Sequence, residues 1–121
     1  MDETQARTVP VSGIGMTALG RLQLRVPDED GFEDVVVERR WSDMGSARAW
    51  CERTISRAPS GSTILEIQVF EECWRRPKSW ETIKNRPVAE ALQLGVMTSA
   101  GRVRWAEPRS MSSQAGVRYL L

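Results

Sequence analysis

Residues 62–74 read STILEIQVFEECW, and the reading of this stretch decides the fold. Thr63, Leu65, Ile67 and Val69 alternate with Ile64, Glu66, Gln68 and Phe70, and β-branched residues are frequent. The pattern is that of a half-buried strand with Leu65, Ile67 and Val69 turned inward. Immediately upstream, Ala47, Trp50, Cys51, Thr54, Ile55 and Ala58 recur at steps of three and four residues, which places them on one face of a helix over 42–58. Arg48, Glu52, Arg53 and Arg57 fall on the other face. A helix laid across a sheet centred on residues 62–74 buries both apolar sets together. Ser42 or Asp43 is placed to cap that helix, Pro59, Ser60 and Gly61 end it, and Trp50 is its expected anchor.

Working outward, Leu22, Leu24 and Val26 alternate with Arg21, Gln23 and Arg25 in a two-faced strand that Pro27 ends. Asp28, Glu29, Asp30 and Gly31 form an acidic turn. The run DEDGFED lacks the twelve-residue, helix-flanked spacing of a calcium loop, so a hairpin is expected there. The returning strand VVVERRW, 35–41, is expected to start buried and finish exposed. Arg21, Arg25 and either Arg39 or Arg40 then share a solvent face beside Trp41. Residues 88–97 fit a short helix opened by Asn85 and Pro87, or a strand alternating Leu92, Leu94 and Val96. The turn 98–101 and the alternating RVRW that follows favour the strand. The expected architecture is α+β and two-layered, one main helix on an antiparallel sheet in the order β-β-α-β-β-β. It spans 17–108, between an N-terminal arm, 1–16, and a C-terminal tail, 109–121.

A chain of 121 residues holds one ordinary core, and 40% apolar with 27% charged residues is the composition of a folded domain. The charge is graded: residues 1–41 carry eight acids against five bases, and residues 81–121 carry three against six, a slope able to orient a partner. Lysine occurs only at Lys78 and Lys84, an arginine bias typical of GC-rich coding. Histidine is absent, which removes the commonest general base near neutral pH and the commonest transition-metal ligand. Cys51 and Cys73 are too few for a four-thiolate site and are expected as small apolar residues in the helix–sheet layer. The glycines of SGIGMTALG are not followed by a GK[ST] phosphate cradle, and Glu66 and Glu71 have opposite parities, which does not suit an acid pair. No catalytic residue, cofactor, metal or small-molecule substrate is therefore expected, and the chain reads as a non-enzymatic protein. No run approaches the roughly 18 apolar residues of a membrane span, and the polar start MDETQARTVP is unlike a signal peptide. The expected place is the cytoplasm.

The stretch 71–87, EECWRRPKSWETIKNRP, mixes Trp74 and Trp80 with Arg75, Arg76 and Lys78. Indoles among bases serve as protein hot spots, or as stacking platforms for nucleic acid, and they equally suit a loop folded back on its own domain. The serine-rich tail closes on Tyr119, Leu120 and Leu121, an apolar tip that forms either an extra strand or a hook into another molecule. These eight residues are the candidate partner-binding set. The leading reading is a protein-binding or assembly module, self-association included. The alternative is a nucleic-acid-binding module using the arginine-rich sheet face and the Trp74–Trp80 loop.

A hairpin followed by SDMGSARAWCERTI, 42–55, and ILEIQVFEE, 64–72, resembles the small accessory proteins of actinobacterial phages and mobile elements, over residues 19–73. The resemblance implies a compact accessory protein of virion assembly or host takeover, found in the cytoplasm or the virion.

Overall fold

The structure, a computed structural model, describes residues 15–74 and 87–111. Among these residues it holds one helix and one six-stranded antiparallel sheet, an α+β fold dominated by strands. The strands are β1 (Gly15–Asp28), β2 (Gly31–Trp41), β3 (Thr63–Trp74), β4 (Pro87–Met97), β5 (Val103–Trp105) and β6 (Arg109–Ser110), and the helix α1 is Met44–Ser56. Across the sheet the order is β2-β1-β3-β4-β5, with the short β6 paired to β4. β3 therefore stands in the middle of the path. The segment 88–97 is strand, and β6 is an addition that the serine-rich tail did not announce.

The helix begins where the side chain of Asp43 accepts the backbone N–H of Ser46, at 2.7 Å, which satisfies an otherwise orphaned donor of the first turn. Its inner face buries Ala47, Trp50 and Cys51 against Ala18, Leu22, Leu24, Trp41, Ile67 and Val69, with Ile55 packed beside them. Gly20 makes the close approach of helix to sheet feasible. A Cβ there would stand 2.7 Å from Trp50 Cε3 and 3.3 Å from Cys51 Sγ, so the indole takes the room a side chain would need. The flanks of the helix, which periodicity assigns to solvent, reach down to the sheet. Arg48 donates to Gln93 Oε1 at 2.8 Å, and Gln93 Nε2 donates to the Ala106 carbonyl, so this buried amide is satisfied at both ends. On the next turn Glu52 accepts from Trp105 Nε1 at 2.7 Å.

Two expectations about burial are corrected. Leu65 is 38% exposed and lies outside the core, whereas Ile64 packs against it. The reason is a β-bulge: Gln23 pairs with Glu66 but Leu24 pairs with Ile64, so Leu65 is an extra residue and the inward parity shifts by one. Ile67 and Val69, beyond the bulge, keep the inward parity opposite Leu22 and Gly20. The second correction is to β2, which starts exposed and finishes buried: Val36 turns to the face away from α1 and is exposed, and Val35 and Val37 are only half-buried. Trp41 is 6% exposed, because it pairs with Ala18 and so shares the face that α1 covers. Cys51 is fully buried, as the helix period requires, but Cys73 is half-buried and is not among the core residues. No helix among the described residues is long and apolar enough to cross a membrane.

Candidate functional site

Trp74, at the end of β3, lies on the sheet face opposite α1. Its indole Nε1 donates to Thr17 Oγ1 at 2.7 Å, and the ring is only 8% exposed. Beside it Arg40 forms a two-pronged pair with Glu72, Nε to Oε1 at 2.7 Å and Nη2 to Oε2 at 3.1 Å, and the guanidinium carbon sits 5.2 Å from the Trp74 ring centre. The hydrogen bond that Arg40 donates to Glu72 raises the Arg40 pKa above its ordinary value against the opposing effect of burial. A β-bulge lies at this corner: Glu71 pairs with Ala91 but Glu72 with Ala89, leaving Glu90 as the extra residue of β4. The indole is thus engaged by its own chain through a hydroxyl, a cation and the sheet.

The same face carries Arg21 and Arg25, and the register of the hairpin decides which of the two later arginines joins them. Leu19 pairs with Arg40 and Gly20 with Arg39, so Arg40 is on this face and Arg39 is on the helix side. There Arg39 and Arg53 each stand over the Trp41 ring, at 5.8 and 5.7 Å. Trp41 is accordingly not beside the arginine face, a correction to the expected composite surface. The three arginines that the β1–β2 hairpin places on the face away from α1 each have an acid partner: Arg21 with Glu38 at 3.4 Å, Arg25 with Asp34 at 2.7 Å, and Arg40 with Glu72 at 2.7 Å. The Arg25 hydrogen bond holds the Asp34 carboxyl below its usual range. Paired in this way, the hairpin part of the face presents far less positive potential than its three arginines suggest.

A different feature stands open. β2 ends the strand order and, among the described residues, pairs only with β1. Its register with β1 runs from Asp28–Gly31 to Ala18–Trp41 without a break, and no proline or lysine interrupts it. The two-residue loop closes on Asp28–Gly31, which makes that pair a hydrogen-bonded one. By alternation the odd-numbered residues of β2 bond to β1. Phe32, Asp34, Val36, Glu38 and Arg40 then turn their backbone N–H and C=O groups outward. Pro27 agrees with this phase, since it pairs with Phe32 and has no N–H to give. Two of these residues are large and apolar, and they are among the most exposed of that kind in the described residues: Phe32 at 64% and Val36 at 48%. Sequence reasoning treated VVVERRW as a hairpin arm, because nothing in a strand's own residues tells an edge from a centre.

Of the candidate partner-binding set, Trp74 lies in the corner just described. Arg75, Arg76, Lys78, Trp80, Tyr119, Leu120 and Leu121 lie outside the described residues. In comparisons with known proteins, no family model, no curated protein and no solved structure matches the chain.

Proposed function

We propose that this chain is a non-enzymatic protein-binding module, a two-layer scaffold of α1 on the sheet that offers β2 to a partner by strand addition. The observation that carries the reading is the eleven-residue edge strand, which among the described residues pairs only with β1 and has Phe32 and Val36 exposed along it. An added strand draws affinity from main-chain hydrogen bonds and specificity from alternate side chains. An uninterrupted edge is ordinarily a liability that folded proteins blunt; β2 carries Glu33, Asp34, Glu38, Arg39 and Arg40, yet it keeps Phe32 and Val36 exposed among them, which supports a surface in use. The resemblance to phage accessory proteins agrees with an assembly role, and the residues around Trp80 and the terminal Leu121 belong to the same reading as further contacts.

The test is affinity capture by the full chain from extracts of its own source, followed by identification of what is retained in raised salt. A protein partner held in fixed stoichiometry, and released by Val36→Lys, supports the reading. Retention of nucleic acid that falls away steeply as salt rises would replace it with the alternative. The acid partners of Arg21, Arg25 and Arg40 weigh against that alternative.

A further inference from the structure

Resting on that reading and naming the partner, we infer that β2 pairs with β2 of a second copy of this chain, antiparallel about a two-fold axis at Val36. The pairing of one strand with itself is isologous, so each contact between residues i and j is made twice. Opposite residues must share a face and present outward backbone groups to each other. With the axis at Val36, Phe32, Asp34, Val36, Glu38 and Arg40 of one copy meet Arg40, Glu38, Val36, Asp34 and Phe32 of the other, so the outward hydrogen-bonding groups of β2 are satisfied in turn.

Side chains select this register over its neighbours. About Val36, Val35 faces Val37 of the other copy on the helix side, Val36 faces Val36 on the opposite side, and Glu33 faces Arg39 twice. Moving the axis to Val37 sets Val36 against Glu38 and Val35 against Arg39. Moving it to Val35 sets Val37 against Glu33. Both shifts break the valine cluster and the Glu33–Arg39 pairs; the axis at Val37 sets Asp34 against Arg40 instead, but that guanidinium is already held by Glu72 at 2.7 Å within its own chain. The chosen register does place Asp34 opposite Glu38. Each of these carboxylates already has an arginine beside it in its own chain, Arg25 at 2.7 Å from Asp34 and Arg21 at 3.4 Å from Glu38, which lowers the repulsion. Phe32 then lies beside Arg40 of the other copy, which covers the most exposed aromatic ring on the strand.

A charge-reversal pair tests both the occupant and the register, using the full chain and its mass in solution as a function of concentration. The unaltered chain is expected to move from 13.7 kDa towards twice that value as concentration rises. Glu33→Arg alone puts arginine against arginine, and Arg39→Glu alone puts acid against acid. Each variant is expected to associate at least tenfold more weakly than the parent. Mixed together, the two variants restore both opposite-charge contacts and are expected to form a mixed dimer. Circular dichroism and the melting temperature of the dilute variants establish that each is folded, and Glu33→Gln with Arg39→Gln is a milder second pair. A chain that stays at 13.7 kDa at every concentration overturns the self-pairing. If Val36→Lys nonetheless releases a captured protein, the broader reading of the edge survives. Dimers indifferent to both reversals would overturn the β2 register as well.

Discussion

The Trp50 indole fills the place where a side chain at Gly20 would be: a Cβ on Gly20 would meet Trp50 Cε3 at 2.7 Å and Cζ3 at 2.9 Å. Helix and sheet are therefore matched at one point by the absence of a methyl group. Gly20→Ala is expected to overpack this contact and cost about 1–3 kcal/mol. Trp50→Ala is expected to cost about 3–5 kcal/mol through the cavity it leaves. Because the added methyl group would occupy part of that cavity, the double variant should lose less than the sum. Chemical denaturation of the four chains measures the coupling, and strict additivity would show that the two residues do not meet.

At the other end of the sheet, Glu72 is 6% exposed and relies on Arg40. Arg40→Met leaves that carboxylate without its charged donor and is expected to cost about 1.5–3 kcal/mol. Adding Glu72→Gln removes the stranded charge and should recover part of the loss, since an unpaired buried charge is worse than none. Urea midpoints for the three chains decide it.

The Asp43 cap gives a pH dependence of known sign. The backbone N–H of Ser46 holds the Asp43 carboxyl below its ordinary range. A group depressed in the folded state stabilises above its unfolded pKa, and this contribution is lost as pH falls through the folded value. Asp43→Ala is expected to cost about 1 kcal/mol near neutrality. The gap between the parent and Asp43→Asn should be constant above about pH 4 and shrink below it. Thermal melts from pH 7 downward follow this, and a gap that widens in acid would contradict the cap.

Burial drives the Cys51 thiol pKa up to about 12, whereas Cys73 is half-buried. Cys51 thus stays a neutral thiol through the physiological range, and its alkylation in the native protein is expected to be limited by opening of the core. Mass spectrometry of a labelling time course should find Cys73 modified first. Modification of Cys51 at the rate of a free thiol would mean that the helix does not cover it.

Much of the frame was legible in side-chain periodicity. The helix face through Ala47, Trp50 and Cys51, and the inward set Leu22, Leu24, Ile67 and Val69, follow from spacing alone. Leu65 did not, because a bulge is a property of two strands in register: the alternation Leu65, Ile67, Val69 is regular, Ile64 stands out of phase with it, and only the pairing with β1 makes Leu65 the extra residue. The side of the sheet taken by Arg40, and the burial of Trp41, depend on where the hairpin closes, which the run DEDG left open by a residue. Gly20 carried a signal that spacing alone does not weigh, since a glycine inside a strand often marks a close approach. The open edge of β2 could not be read from β2 itself, because the order of strands is decided elsewhere in the chain.

Amide hydrogen exchange resolved along β2 addresses the pairing most directly. The N–H groups of Val35, Val37 and Arg39 bond to β1 and should be protected at every protein concentration. Those of Asp34, Val36 and Glu38 should exchange quickly in dilute solution and become protected as concentration rises, in step with the change in mass. Rapid exchange of Val36 at high concentration, with Val35 and Val37 still protected, would contradict the pairing of β2 with its own copy.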